Sequence, residues 1–98
     1  MHARVSTIYG TAEQGEEGVQ NFRDQILPAL KEMEGCRGAI LLADRTTGKA
    51  VGITLWEDEQ AMQASEEAAN RLRREAAETV GGGEPPTVDR YEVAVWEV

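Results

Sequence analysis

Cysteine and histidine are nearly missing from this chain. Its 98 residues include one Cys, Cys36, and one His, His2. A single thiol excludes an internal disulfide and any metal cage built on cysteine. No His lies near Cys36 in sequence, and His2 stands at a terminus, so a Cys–His nucleophile is a poor reading and Cys36 reads as structural. Long hydrophobic runs are also missing. Apolar residues make up 41% of the chain, yet no run approaches the roughly 20 residues of a membrane-spanning helix. The stretch MHARVSTIYG has no apolar core of the signal-peptide kind, so a cytoplasmic protein is expected. Basic residues are scarce: Lys and Arg number 10 against 18 Asp and Glu, a net charge of -8. That balance disfavours nucleic acid, which is held mainly by Lys and Arg on phosphates, and it disfavours anionic membrane surfaces. The length suits one domain over residues 1–98.

What is present is periodic. Residues 3–9, with Val5, Ile8 and Tyr9, are rich in strand formers and stop at Gly10. From Glu16 the apolar residues Val19, Phe22, Ile26, Leu30 and Met33 step by three and four, one stripe of an amphipathic helix. Pro28 interrupts its hydrogen bonding, but the stripe stays in phase, so a kink is expected, with Gly35 closing the helix. Residues 36–44 and 50–57 read as two strands joined by a turn of about five residues, Asp44-Arg-Thr-Thr-Gly48. The run Ala39-Ile-Leu-Leu-Ala43 is apolar on both faces. Asp58 is a plausible cap for a second helix, whose inward stripe is Ala61, Ser65, Ala68, Leu72 and Ala76, with Met62 and Ala69 beside it. Thr79 to Pro86, glycine- and proline-rich, reads as a loop. Thr87 to Val98 alternates as a last strand, placing Trp96 and Val98 opposite Tyr91 and Val93.

The order β-α-β-β-α-β is the split βαβ arrangement, an α+β, ferredoxin-like fold. Right-handed crossovers give a four-stranded antiparallel sheet with two helices on one face. The other face also carries apolar residues. Two helices cannot cover both faces, so a second copy is expected there, making a homodimer.

Three stretches resemble a known family: Phe22-Arg-Asp-Gln-Ile-Leu-Pro-Ala-Leu30, Gly35-Cys-Arg-Gly38, and Gly52-Ile-Thr-Leu-Trp-Glu-Asp-Glu-Gln-Ala61. They are similar to the antibiotic-biosynthesis-monooxygenase-like group of the dimeric α/β barrel superfamily. The resemblance implies two βαββαβ chains whose sheets pack face to face into a barrel. It also implies a cavity between sheet and helices. Some members of the group oxidise polycyclic aromatic molecules with O₂ and no metal or flavin, others degrade haem, and many have no known activity. The enzymes use an Asn on strand 1, a Trp near the end of strand 3 and often a His on helix 2. Here Trp56 matches the Trp, strand 1 offers Ser6 and Thr7 in place of Asn, and Ser65 stands where the His is expected. Those departures argue against haem chemistry more than against monooxygenation.

The candidate ligand-binding residues are therefore Trp56, as a stacking surface, with Tyr9, Thr7, Ser65 and Arg37. Each has a plainer alternative. Trp56 packs equally well at a strand–helix junction, and Tyr9 could be a rim residue. Arg4 and Arg37 could hold an anionic ligand at the cavity mouth or pair with Glu92 on a neighbouring strand. No metal site is expected: Glu57, Asp58, Glu59, Glu66 and Glu67 lack a calcium-loop spacing and read as a solvated face. Thr79-Val-Gly-Gly-Gly-Glu-Pro-Pro86 follows a helix and lacks the Gly-Lys-Ser/Thr ending of a phosphate loop. Two readings stay open. One is a cofactor-independent monooxygenase-like protein that binds or oxidises a small aromatic molecule. The other is a non-catalytic dimeric module, ligand-binding or stress-linked. The catalytic residues are not assigned.

Overall fold

A computed structural model of the chain describes residues 1–81 and 84–97; Gly82, Gly83 and Val98 lie outside the described residues, and with them part of the expected 79–86 loop and the placing of Val98. The strands are β1 (His2–Tyr9), β2 (Cys36–Ala43), β3 (Lys49–Trp56) and β4 (Thr87–Glu92). They form one sheet in the order β2-β3-β1-β4, and every neighbouring pair is antiparallel. This is the expected ferredoxin-like sheet. Its register aligns Arg4 with Thr54 and Arg90, and Ser6 with Gly52 and Val88. Because side chains alternate across a sheet, Arg4, Ser6, Ile8, Gly52 and Thr54 share the face under the helices. Thr7, Tyr9, Val51 and Ile53 share the other.

The five-residue turn 44–48 is built by Asp44. Its Oδ1 accepts the amide N–H groups of Thr46 at 2.9 Å and Thr47 at 3.2 Å, an Asx-type turn. Those two bonds hold the Asp44 carboxyl below its ordinary value of 3.8. Gly48 closes the turn with φ +84, where a Cβ would press on the Thr11–Ala12 backbone.

The first helical stretch is α1 (Gly15–Asn21), a π turn Phe22–Ile26, and α2 (Leu27–Lys31). The expected kink at Pro28 thus takes the form of a widened turn just before the proline, with the Leu27 N–H bonded to the Phe22 carbonyl. Gly35 follows with φ +81. Asp58 caps α3 (Glu59–Ala64) by accepting the Ala61 N–H at 2.7 Å. The second helix is not continuous: α3 stops, and α4 (Glu66–Thr79) restarts after Ser65. Its inward positions are Met62, Ser65 and Ala69, all buried, while Ala68 is only half-buried. Ser65, Leu72 and Ala76 keep their expected inward places, and Met62 and Ala69 are the more deeply buried neighbours of Ala61 and Ala68. The core is Ile26, Leu30, Trp56 and Met62, backed by Phe22, Leu72 and Ala76.

The last strand is shorter than its alternation implies. Pairing ends with Glu92 opposite His2, followed by one bond from the Val93 N–H to the Met1 carbonyl at 2.9 Å. Residues 93–97 lie past the end of β1. Trp96 is therefore not a strand residue opposite Tyr91; it is half-exposed beside Met1 and Leu55. On the sheet face without helices Ile40, Leu42 and Tyr91 are exposed, at 37%, 53% and 56%.

Candidate functional site: a cavity under two arginines

The sheet and helices do not close completely on each other. β1 supplies Arg4, Ser6 and Ile8 to the floor of a cavity, β2 supplies Leu41, and β3 supplies Gly52 and Thr54. The walls are Phe22, Ile26 and Leu30 on one side and Ala69, Leu72, Arg73 and Ala76 of α4 on the other. It holds about 510 Å³, including space open to solvent at its mouth. A second hollow continues it toward the hairpin turn, sharing Ile8, Phe22, Ile26, Leu41 and Ala76. The floor is open because Gly52 has no side chain. A Cβ there would meet only the Phe22 Cε2, at 4.0 Å.

The polar groups gather at one end. Arg4 is 2% exposed. Its Nη2 donates to the Met62 carbonyl at 2.6 Å, to Ser65 Oγ at 2.9 Å and to Glu66 Oε1 at 2.9 Å. Ser65 Oγ also donates to the Met62 carbonyl, at 2.7 Å. These bonds use the carbonyl that a continuous helix would have spent on Glu66, which explains the break between α3 and α4. The Arg4 guanidinium lies 5.3 Å from the centre of the Trp56 ring, a cation–π contact. Trp56 is fully buried and donates its Nε1–H to Thr54 Oγ1 at 2.8 Å. Arg73 donates from Nε to Ser6 Oγ at 3.1 Å and from Nη1 to Asn70 Oδ1 at 2.5 Å.

One carboxylate serves this cluster. Glu66 accepts from Arg4, and from Arg90 Nε and Nη2 at 2.7 Å each. The Arg90 bonds, with Arg4 behind them, hold the Glu66 carboxyl down at about 2. The same pair raises Arg90 above its usual range. Arg73 moves the other way, lowered by burial and then by the like charge of Arg4.

The sequence candidates are divided by the sheet. Trp56 and Ser65 lie on the helix side, where each supports Arg4; neither lines the cavity. Thr7 pairs with Val51 and Thr87, Tyr9 with Lys49, and both face the helix-free side. They cannot share a pocket with Trp56, since adjacent strand residues point to opposite faces. Arg37 is 62% exposed and reaches Glu57 Oε2 at 3.8 Å. Arg4 bonds Glu66 on α4 rather than Glu92, which stands opposite His2. Sequence reasoning missed Gly52, Thr54 and Arg73 as cavity residues. A signal existed for Gly52: a lone glycine inside a strand often marks close approach or a missing wall. For Arg4 the signal was its phase with Ile8 on the covered face, where a charge must find a partner.

The comparisons agree on this architecture. The family model described as antibiotic biosynthesis monooxygenase matches residues 1–81. The uncharacterized protein Rv2557 of Mycobacterium tuberculosis is 38% identical over 94 residues, 96% of this chain and 41% of that protein. The chain thus spans about two fifths of the length of the curated relatives it matches. Among solved structures, the monooxygenase ActVA-Orf6 of Streptomyces coelicolor, in complex with nanaomycin D, superposes with a TM-score of 0.76 at 18% identity, covering 99% of this chain and 92% of that one. The haem degrader MhuD of Mycobacterium tuberculosis, with two haems bound, gives 0.73 at 19% identity over 100% of both chains. At those identities the likeness speaks for the fold. With the family model covering most of the chain and a relative above a third identical along nearly all of it, the chain belongs to the antibiotic biosynthesis monooxygenase family.

Proposed function

We propose that this chain binds a small, largely apolar molecule, aromatic by preference, in the cavity between sheet and helices. The observation that carries the reading is the apolar hollow over Gly52. Its floor is unfilled where Gly52 carries no side chain, and a Cβ there would meet only Phe22 Cε2 at 4.0 Å. Flat molecules, nanaomycin D and haem, occupy two structures of the same fold. Arg4, Ser6, Thr54 and Arg73 supply the polar contacts, while Trp56 and Ser65 hold Arg4 in place. Thr7, Tyr9 and Arg37 act outside the cavity, on the helix-free face and at the sheet edge. The polar groups lining the cavity are guanidiniums and hydroxyls, and neither acts as a general base at neutral pH. Any oxidation here therefore falls to a substrate that reacts with O₂ by itself once bound. Native mass spectrometry of protein purified from its own source is expected to show a retained aromatic mass. An empty spectrum, together with no thermal shift across anthrone- and quinol-like compounds, would remove the reading.

Residues 1–98 are proposed to act as one unit that pairs with a second copy through the helix-free face, in the cytoplasm, where a reducing milieu suits the half-buried thiol of Cys36. Ile40, Leu42 and Tyr91 are exposed there in one apolar field with Val51 and Ile53. Light scattering of the 98-residue chain at micromolar concentration is expected to give twice the chain mass, falling to the single mass in Leu42→Lys. A monomer mass for the unaltered chain would end the pairing proposal.

A further inference from the structure

We infer that the molecule bound in this cavity is an apolar monocarboxylic acid, with its carboxylate seated against Arg73 and the unpartnered edge of Arg4. The inference rests on the reading that the cavity binds an apolar molecule, and adds what its polar end must be.

The first ground is an imbalance of charge. Arg4, Arg73 and Arg90 converge on one end of the cavity, and among the described residues Glu66 is the one carboxylate bonded to any of them. Arg90 is 46% exposed, so its charge is screened by solvent as well as balanced by Glu66. Among the described residues Arg73 bonds only to neutral acceptors, Ser6 and Asn70. One positive charge is thus left facing an apolar hollow, in a chain whose net charge is -8. Basic groups are scarce here, so a knot of three with one counter-charge is not the general character of the surface.

The second ground is independent of the count. Arg4 is 2% exposed, yet its Nε and Nη1 are buried with no acceptor. Buried donors left without a partner are costly, and those of a cation more so. Arg4 lines the cavity, and so does Arg73. A carboxylate placed between them would satisfy these donors and cancel the surplus charge together. A guanidinium fork matches a carboxylate in geometry, and apolar walls strengthen the attraction by excluding water. Three guanidiniums against one carboxylate leave two surplus charges; one is screened by solvent at the half-exposed Arg90, and the other suits one carboxylate. Burial, and after it the like charge of Arg4, lower Arg73, as befits a cation that bonds no carboxylate among the described residues.

The test uses the full chain and a matched pair of probes, 2-naphthoate and its neutral isostere 2-naphthamide, followed by calorimetry. The acid is expected to bind at least tenfold more tightly than the amide. Arg73→Met is expected to erase that preference, bringing the acid down to the affinity of the amide, with Arg73→Lys restoring part of it. Without ligand, Arg73→Met is expected to unfold at a higher temperature, because it removes the uncompensated cation. A purely structural Arg73 would give the opposite shift and leave the acid-to-amide ratio intact, which would overturn the inference. Equal binding of the two probes to the unaltered chain would overturn it too, while leaving the cavity reading standing. Binding of neither probe would remove both.

Discussion

Replacing Glu66 by glutamine is expected to cost the fold about 3 kcal/mol, near the lower end of what breaking a buried ion pair costs, since Glu66 is partly solvated. For a chain of this size that is a fall in melting temperature on the order of 15 °C. The loss is large because Arg4 is 2% exposed and Glu66 is the one anion it bonds among the described residues. The glutamine leaves a buried guanidinium without a counter-charge and sets it against Arg73 and Arg90. Removing both partners should be far milder. Arg4→Met on its own strands no anion, because Arg90 still holds Glu66, and Arg4→Met with Glu66→Gln should recover most of the loss. Thermal unfolding of the three variants checks this. A Glu66→Gln variant as stable as the parent would show that the cluster contributes nothing.

The same residue sets a pH dependence. The Glu66 carboxyl is depressed to about 2 in the folded chain against an ordinary 4.5. The unfolded state therefore takes up its proton first as pH falls. The stability Glu66 contributes is complete above about pH 4.5 and drains away as pH drops through about 2. In Glu66→Gln that part of the acid slope should vanish.

Filling the cavity is expected to move stability and binding in opposite directions. Gly52→Val puts a side chain into the hollow, where the nearest atom to the new Cβ is Phe22 Cε2 at 4.0 Å. A strand-interior glycine is unfavourable, and valine both suits a strand and buries apolar surface there. A gain of about 1–2 kcal/mol is expected. The same methyl groups occupy the space a ligand needs, so an apolar probe such as 2-naphthamide should lose at least tenfold in affinity. A stabilised variant that still bound the probe would place the ligand elsewhere. A destabilised one would mean that the hollow is smaller than the geometry gives. The trade, stability given up for an open floor, is the usual signature of a functional position.

Much of the fold was legible because it is local. The stripe Phe22, Ile26 and Leu30 is helical by spacing alone, and those residues do face the core. Asp58 caps α3 as its position implied, and the turn 44–48 has the expected length. Where expectation and structure part, a distant group intervenes. α4 restarts after Ser65 because Arg4, on a strand sixty-one residues earlier, takes up the Met62 carbonyl and the Ser65 hydroxyl. No helical periodicity contains that information. The alternation of Val93 and Val95 suggests strand, but strand pairing needs a neighbour, and the last β1 partner is spent at Glu92.

The candidate site was less legible, for the same reason. Its chemistry comes from residues that are unremarkable one at a time: an arginine on β1, a glycine on β3, another arginine on α4. Trp56 drew notice as a large aromatic at a strand end, and it proves to be a support beneath Arg4. Period-two and period-three-to-four patterns were enough to decide the elements, their order and which faces are apolar, since backbone geometry imposes those periods within a few residues. Only the packing of helices on sheet decided that a hollow remains above Gly52, and that three guanidiniums meet one carboxylate beside it. Cavities and buried charge clusters are properties of distances between remote residues, which chain order does not constrain until the chain has folded.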